Sequence, residues 1–348
     1  MGKIRIAVAG AGLIGQAHIA IARASPTITL TAVIDPSPAA AHTAADAGVP
    51  LFRSLDDMLA QDQPDGVVLA TPNQFHVPQA TQCLEAGLAV LLEKPIAPTV
   101  AEAETLVRLV ETGGGRLLIG HHRAHSPIMA KARAVVESGQ LGRLVTVMGS
   151  ATFFKPDHYF DDGPWRREPG GGPILINMIH EVHNLRLLCG EIIAVQAIAS
   201  HAVRGFAVED TVAITLQFAS GMLGSFMLSD TAASARNWEH TSRENKAYPS
   251  YDDEDCYVIT GTNGSLSVPT MRLKTYPGPD QRSWWKPFEQ GVVGMVREDP
   301  LARQMEHFGA VVRAEAQPLV SARDGLQNLR VTEAITAAAR SGHTVHLA

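Results

Sequence analysis

The stretch IRIAVAGAGLIG, residues 4–15, decides the fold of the first part of this chain. Six mainly apolar residues lead into glycines at positions 10, 12 and 15, and a helix-like segment, Leu13–Ala24, follows. The first glycine permits a tight turn, the second lets the backbone approach a pyrophosphate, and the third allows helix and strand to pack closely. The order strand, glycine turn, helix therefore predicts a dinucleotide-binding loop made by Gly10, Gly12, Leu13, Ile14 and Gly15.

A carboxylate supports this interpretation, because Asp35 ends the second predicted strand and stands 20 residues after Gly15. At this distance a carboxylate is placed to bind the ribose 2′-hydroxyl of NAD. Its charge repels the 2′-phosphate of NADP, and Pro36 and Ser37 offer no arginine to neutralise that phosphate. NAD is therefore the expected cofactor, while the Ser37 hydroxyl leaves NADP open. The competing interpretation is a glycine turn in another kind of α/β protein.

The pattern of elements changes along the chain. Short apolar strands alternate with helical segments over residues 1–122, which predicts a parallel sheet with helices on both faces. Consecutive strand candidates over 123–348 indicate an antiparallel or mixed sheet instead. We expect an N-terminal Rossmann domain over 1–122 and an α+β domain for substrate and oligomerisation over 123–348. The elements predicted in the second part are a helix, Ile174–Leu188, a closing helix, Gly325–Arg340, and strands Leu144–Phe154, Ile193–His201, Thr211–Phe218, Met222–Ser229, Cys256–Thr260 and Gly264–Val268.

Composition narrows the classes of partner. The net charge of −6 and the pI of about 6.2 argue against a nucleic acid held by charge. No run of 18 or more apolar residues occurs, so we expect no membrane span. The cysteines, Cys83, Cys189 and Cys256, are far apart and fit neither a metal site nor a disulfide framework. This usage favours a reducing cytoplasm.

Polar residues follow the strand Gly66–Ala70, at the edge of a parallel sheet where ligands bind. Thr71, Asn73 and His76 are placed there to touch the cofactor ribose. A proline- and asparagine-containing turn that caps the next helix is an equally simple explanation, and the composition does not decide between them.

A lysine follows the next strand, Ala89–Leu92, in the sequence Glu93-Lys94-Pro95. At a strand end beside a cofactor crevice, this lysine is suited to relay protons or to fix a substrate hydroxyl. A cis peptide bond before Pro95 would set its direction. The alternative is an exposed lysine in a turn.

In this order, the glycine loop, Thr71–His76 and Glu93-Lys94-Pro95 resemble the Gfo/Idh/MocA family of oxidoreductases, which includes glucose–fructose oxidoreductase and inositol dehydrogenase. The resemblance extends over the whole chain through the crossover Gly120–Arg123, the glycines 170–172 before His180, and Asp324-Gly325. It implies a Rossmann domain and an open-faced, largely antiparallel sheet. It also implies a homodimer or homotetramer formed through that sheet, and cofactor contacts from Thr71, Asn73, His76, Glu93 and Lys94.

The helix that resembles the family's substrate helix departs from its pattern. The family usually carries Asp and His four residues apart, whereas this chain has Ile176 before His180. Asn177 shares a helix face with His180 because the two are three residues apart, so it is suited to bind substrate or to orient His180. Two histidines, His180 and His183, flank Glu181 at a spacing that does not match the zinc-hydrolase motif, and we expect no metal.

The resemblance also places His122, Arg123, Trp165 and Arg166 near the substrate. An arginine fork is suited to grip a carboxylate or a pair of hydroxyls. A salt bridge between domains with a core tryptophan is the competing explanation.

Together these features predict an NAD(P)-dependent oxidoreductase acting on a CH–OH group of a sugar, a cyclitol or a cyclic dihydrodiol. His180 is the expected base, and Lys94 the expected proton relay and substrate anchor. The alternatives are a glycoside hydrolase of the same fold that retains NAD, and a non-catalytic sensor that binds dinucleotide.

Overall fold

Strands and helices alternate through the first part of the structure, a computed structural model that describes residues 2–347. Its strands are β1 Ile4–Ala9, β2 Ile28–Ile34, β3 Leu51–Phe52, β4 Gly66–Leu69, β5 Ala89–Glu93 and β6 Leu117–Gly120. The intervening helices are α1 Leu13–Ala24, α2 Ala40–Ala47, α3 Leu55–Gln61, α4 His76–Glu85 and α5 Val100–Gly113. The alternation predicted from the sequence is confirmed.

These strands form one parallel sheet in the order β3-β2-β1-β4-β5-β6. Every residue of β4, β5 and β6 is buried, as expected for a parallel sheet with both faces covered by helices. The strand order reverses between β1 and β4, and in such sheets ligands bind at the carboxyl ends of the strands on either side of that point. The sheet therefore assigns the glycine loop, Thr71 and Lys94 to a single edge.

The second part contains a nine-stranded sheet and most of the remaining helices. In chain order its elements are α6 Pro127–Glu137, β7 Leu144–Thr152, α7 Asp157–Asp161, a single π-helical turn Ile174–Met178, α8 Ile179–Cys189, β8 Ile192–Ser200, β9 Thr211–Phe218, β10 Leu223–Ser229, α9 Trp238–Ser242, β11 Tyr257–Gly261, β12 Gly264–Val268, β13 Arg272–Thr275 and β14 Glu289–Val292. The chain ends with α10 Pro300–Val312, α11 Ala322–Ser341 and β15 Val345–His346.

The order of this second sheet is β14-β13-β12-β11-β7-β10-β9-β8-β15. Its neighbours are antiparallel except for β7 and β10, which run parallel. Buried and exposed residues alternate along β9 and β10, so one face packs on a core and the other is open. The predicted open-faced, mostly antiparallel sheet is confirmed.

Seven elements of the described residues were not predicted from the sequence: α6, α7, α9, α10, β13, β14 and β15. α6 carries a recognisable start, since Ser126 caps it and Pro127 occupies its first turn. The polar, glycine- and proline-containing segments 231–255 and 276–300, for which long loops are predicted, contain α9 and β14, and α10 begins at the end of the second segment. The predicted substrate helix begins with the π-helical turn, a feature often found at functional sites.

Two compact units divide the chain. The first consists of the chain up to His125 together with Pro300–Leu329, and the second of Ser126–Asp299 with the chain from Arg330 onward. The segment Pro300–Leu329 thus lies in the first unit, whereas a division at residue 122 assigns it to the second. Its amphipathic helix α10 buries Met305 and Phe308 in the first core. Among residues 2–347, no helix combines the length and apolarity needed to cross a bilayer.

Phe308→Ala tests this return of the chain to the first unit. The Phe308 ring is fully buried and reaches over Gly66, where an added Cβ would lie 3.0 Å from it. We expect a loss of about 3–5 kcal/mol in the unfolding free energy of the first unit, because a large cavity replaces the ring. Urea denaturation followed by circular dichroism measures the change. The control Glu306→Ala, exposed on the same helix, should cost little, and equal effects would contradict the assignment.

Candidate active site

The glycine loop has the shape required to hold a pyrophosphate. Gly10 adopts a φ of +94°, which favours glycine, and a Cβ on Gly15 would lie 1.9 Å from the Gly10 carbonyl oxygen. A Cβ on Gly12 would meet nothing within 4 Å, so the backbone is open at this point. Gly12 is also the N-cap of α1 and has no side chain to occupy the first-turn amides. These amides and the helix dipole fit the negative charge of a dinucleotide.

Asp35 is held beside this loop. Its carboxylate accepts hydrogen bonds from the backbone N–H groups of Ala11 at 2.8 Å and Ser37 at 2.7 Å. Burial raises the pKa of the Asp35 carboxyl, but these hydrogen bonds and the charge of Arg53 outweigh burial and hold the pKa below its usual value. The carboxylate is therefore negative at neutral pH, as binding a ribose hydroxyl and repelling a 2′-phosphate require.

Arg53 is an arginine that inspection of Pro36 and Ser37 alone does not find. It follows β3, and its guanidinium donates to the carbonyl oxygens of Pro36 at 2.8 Å and Ser37 at 3.1 Å. Because the parallel sheet brings β3 beside β2, a cation separated by 18 residues in sequence lies close to Asp35. Its position supports the Asp35 loop.

A buried hydrogen bond supports the second strand-end motif, Glu93-Lys94-Pro95. Glu93 ends β5, and its Oε1 lies 2.9 Å from Nε2 of His18 on α1. Burial raises the pKa of Glu93, but the His18 hydrogen bond and the charges of His18, Lys94 and His122 outweigh it, so the pKa lies below its usual value. Gly120 makes room for this carboxylate, since a Cβ there would lie 2.9 Å from Oε1. Glu93 is thus a fixed anion under Lys94.

Lys94 is partly exposed above Glu93. Burial lowers the pKa of its ammonium group, Glu93 opposes that effect, and the charge of Arg123 lowers the pKa further. A lysine with a lowered pKa exchanges protons more readily at neutral pH than an ordinary one. The peptide bond to Pro95 is cis, as the sequence motif suggested.

His76 connects the segments that follow strands β4 and β5. Its Nδ1 lies 2.7 Å from the carbonyl oxygen of Pro95 and its Nε2 lies 2.9 Å from that of Thr71. The ring is 1% exposed, and burial lowers its pKa, against the two carbonyl contacts. Both ring nitrogens are engaged by backbone, so His76 holds Thr71 in place beside Pro95. Asn73 begins the short turn between β4 and α4 and remains partly exposed.

The second unit presents the substrate helix in a defined position. The Ile174 backbone N–H donates to Glu209 at 2.9 Å, which caps the start of the helix. Gly172 leaves space for this carboxylate, because a Cβ there would lie 2.4 Å from Oε1 of Glu209. Burial raises the pKa of Glu209. The glycine run therefore has a local reason: it admits the group that anchors the helix carrying Asn177 and His180.

Asn177 is oriented by a lysine. Nζ of Lys155 donates to Oδ1 of Asn177 at 2.8 Å and lies 3.5 Å from Oδ2 of Asp230. With its oxygen taken by Lys155, Asn177 keeps its amide nitrogen as a hydrogen-bond donor. Burial lowers the pKa of Lys155 to about 8, against the attraction of Asp230.

His180 is preceded four residues earlier by Ile176 and followed directly by Glu181. Ile176 brings no carboxylate to the position four residues earlier. Glu181 is buried on another side of the helix, where it accepts the Tyr257 hydroxyl, and Asn184 donates to that hydroxyl at 2.9 Å. Glu181 therefore belongs to a buried network, and within residues 2–347 no group of three or more metal-binding side chains is assembled.

The predicted residues fall into two sets. The glycine loop, Asp35, Thr71, Asn73, His76, Glu93 and Lys94 gather at one edge of the parallel sheet in the first unit. His122 and Arg123 follow β6 in the same unit, where their charges act on Glu93 and Lys94. Trp165, Arg166, Asn177 and His180 belong to the second unit. The Trp165 side chain is 57% exposed, which excludes the alternative of a core tryptophan.

Four side chains beside these sets were not predicted from the sequence: His18, Arg53, Lys155 and Glu209. His18 carries a usable signal, since it is a polar residue on the buried stripe Gly15, Ile19 and Ala22 of an amphipathic helix. Lys155 follows the end of β7, and only the folded chain places it beside Asn177.

Comparison with known proteins identifies the family. A family model described as "Oxidoreductase family, NAD-binding Rossmann fold" matches residues 4–121, and one described as "GFO/IDH/MocA C-terminal domain" matches residues 129–267. Together the two models cover most of the chain, which therefore belongs to the Gfo/Idh/MocA oxidoreductase family. The family resemblance seen in the sequence motifs is confirmed, and NAD is the cofactor for which the first unit is built.

Individual relatives are more distant. The rhizopine catabolism protein MocA of Rhizobium meliloti is 31% identical over 55% of this chain, and the match spans 59% of that protein. Inositol 2-dehydrogenase of R. meliloti strain 1021 is 25% identical over 95% of both chains. The WlbA dehydrogenase of Bordetella pertussis, solved with NADH and UDP-GlcNAcA, is 26% identical over 99% of both chains with a TM-score of 0.78.

Asp35→Asn tests the basis of cofactor choice. The variant keeps a hydrogen-bond acceptor and loses the charge, so we expect NADH to bind about tenfold more weakly and the discrimination against NADPH to shrink. Fluorescence titration with NADH and NADPH measures both dissociation constants. Asp46→Asn, an exposed carboxylate on α2 paired with His42, is the matched control. An unchanged NADPH-to-NADH ratio in Asp35→Asn would contradict the role of the charge.

Proposed function

We propose that this protein is an NAD-dependent oxidoreductase that transfers hydride between the nicotinamide and a carbinol or carbonyl carbon of a polyhydroxylated small molecule. The observation that carries this proposal is the Glu93-anchored Lys94 at the same sheet edge as the glycine loop. The proposed substrate is a sugar, a cyclitol or a cyclic dihydrodiol. The similarity of this chain to the rhizopine catabolism protein MocA and to an inositol 2-dehydrogenase supports a polyhydroxylated substrate.

The cofactor contacts follow from the loop geometry. The open backbone at Gly12 and the first turn of α1, at Leu13 and Ile14, would hold the pyrophosphate, and Asp35 would bind the adenosine ribose. Thr71 and Asn73, at the end of β4, would lie along the second ribose. Bound NAD supplies the hydride acceptor for an alcohol, or as NADH the donor for a carbonyl.

Lys94 and His180 handle the proton in this proposal. When an alcohol is oxidised, His180 takes the hydroxyl proton, and Lys94 fixes the hydroxyl oxygen by hydrogen bonding and relays the proton. Glu93, held by His18, supplies the negative charge beside Lys94, and Asn177 binds a neighbouring hydroxyl through its amide nitrogen. Because position 176 is an isoleucine, no carboxylate four residues back raises the basicity of His180, and the lowered pKa of Lys94 gains importance.

Lys94→Ala tests this assignment. We expect NADH binding to persist and turnover to fall by about 10²–10⁴-fold, because the group that relays the proton is gone. Turnover is followed at the NADH absorbance with a panel of polyols, aldoses and dihydrodiols, using NAD and NADP in parallel. Lys131→Ala, exposed on α6, is the control. Retained turnover in Lys94→Ala would refute its role, and cofactor retention without net NADH formation in the native enzyme would favour the glycoside hydrolase.

We also propose that the chain forms a homodimer or homotetramer through the second sheet. Its open face carries exposed apolar side chains on three strands of the run β7-β10-β9-β8, namely Met148 on β7, Leu223 and Met227 on β10, and Ile198 on β8. Apolar patches of this kind mark protein–protein contacts.

The three cysteines are free thiols, which supports placement in a reducing cytoplasm.

Light scattering coupled to gel filtration tests the assembly. We expect a mass of at least twice the 37.2 kDa of one chain. Ile198→Lys places a charge in the apolar face and should lower that mass, whereas the exposed Glu137→Lys on α6 should not. A native protein that runs as a monomer would rule the proposal out.

A further inference from the structure

Three cations crowd the substrate side of the second unit: Lys155, Arg166 and Arg204, here called the cation cluster. Nε of Arg204 lies 2.9 Å from Oδ1 of Asp230, and its Nη2 donates to the carbonyl oxygen of Lys155 at 2.8 Å. The Arg166 guanidinium lies 3.9 Å from the centroid of the Tyr159 ring and donates to the Tyr159 carbonyl oxygen. The cluster therefore adjoins Asn177 through Lys155.

The carboxylates at hand do not balance this charge. Asp230 is buried and is shared between Lys155 and Arg204. Asp210 is also buried, but its carboxylate accepts hydrogen bonds from the backbone N–H groups of Val203 and Arg204 and from the Thr211 hydroxyl. Asp157 lies 3.8 Å from Arg204 but its side chain is 93% exposed, so solvent screens its charge. Among residues 2–347, no carboxylate lies within ion-pair distance of Arg166, whose buried Nε also meets no acceptor. Asp230 is thus the buried ion-pair partner of two of these cations, and Arg166 has no carboxylate partner among residues 2–347.

This excess of positive charge acts on the ammonium group of Lys155. Burial lowers the pKa of Lys155 to about 8, Asp230 opposes that effect, and the charges of Arg166 and Arg204 lower the pKa further. Like charges held together away from water repel, and a ligand anion between them removes that repulsion. A neutral polyol would leave the cluster as crowded as it is in the free protein.

The geometry of Arg166 favours a carboxylate. A guanidinium binds the two oxygens of a carboxylate through parallel hydrogen bonds, and Arg166 has one Nη group that donates to no residue among 2–347. The faces of Tyr159 and of the exposed Trp165 flank this group, at 3.9 and 5.5 Å from the guanidinium carbon. Aromatic faces of this kind pack on the apolar side of a sugar ring.

We propose that the substrate carries a carboxylate, as in a sugar acid or an acidic cyclitol, and that Arg166 and Lys155 recognise it while Asn177 binds an adjoining hydroxyl. This inference rests on the proposed oxidoreductase function and names the substrate class for the same site. Arg166 is then a specificity-determining residue, and Lys155 both binds the carboxylate and orients Asn177.

A panel of matched pairs tests the inference in the native enzyme. Each polyol, aldose, cyclitol and dihydrodiol is assayed with NAD beside its carboxylate analogue, for example D-glucose with D-glucuronate and D-galactose with D-galacturonate. We expect kcat/KM to be about tenfold or more higher for the acid, as a charge-assisted hydrogen bond implies. Turnover of neutral compounds alone, or a preference for the phosphate ester over the carboxylate, would overturn this inference only. No NADH formation with any compound would overturn the proposed function instead.

Arg166→Gln locates the specificity. We expect kcat/KM for the preferred acid to fall about tenfold or more relative to its neutral partner, mainly through KM. Calorimetric titration of the acid into the NADH-loaded protein gives a second readout, and the melting temperature with NADH reports folding. Arg133→Gln, an exposed arginine on α6 paired with Glu137, is the matched control. If Arg166→Gln does not fold, Arg166→Lys keeps the charge and loses the fork. An equal loss for acid and neutral compounds would refute the assignment.

Discussion

The close approach of Gly15 to the Gly10 carbonyl is the constraint from which the cofactor half follows. No side chain fits between them, so α1 begins directly against the turn that leaves β1. The same approach opens the first turn of α1 to a pyrophosphate. One helical turn later His18 lies on the same face as Gly15, and this places its ring against Glu93 at the end of β5. The fixed position of Glu93, whose charge acts on Lys94, is therefore linked to the glycine packing through His18.

The substrate half depends on charge more than on backbone approach. Glu209 enters the space that Gly172 leaves and holds the start of the helix that carries Asn177 and His180. Lys155 then orients Asn177, with Asp230 as a partner that Arg204 shares. A chain with isoleucine at position 176 thus brings a cation to the side chain next to it. The proposed carboxylate site in the second unit rests on this arrangement of Lys155 and Asn177.

Much of the first unit could be predicted because its signals are local. Alternating apolar strands and helices specify a parallel sheet, and the carboxyl ends of neighbouring parallel strands meet at one edge. That reasoning placed the glycine loop, Asp35 and Lys94 correctly along the sheet. It missed Arg53 and His18, since each acts through a neighbour on another element. The position of α10 was not predicted either. This helix packs on the core of the first unit, which is far away in sequence, and no residue near α10 indicates that contact.

The Rossmann sheet, its NAD-binding loop and the family are already readable in the amino-acid sequence, because glycine spacing and strand ends are recognised within short windows. The sequence also determined that the usual carboxylate before His180 is absent. Only the tertiary structure decided what surrounds the site: that His76 braces two strand ends, that Glu209 anchors the substrate helix, and that Lys155 orients Asn177. These pairs are joined across strands and helices far apart in the chain, and their charges interact only once folding has removed the water between them.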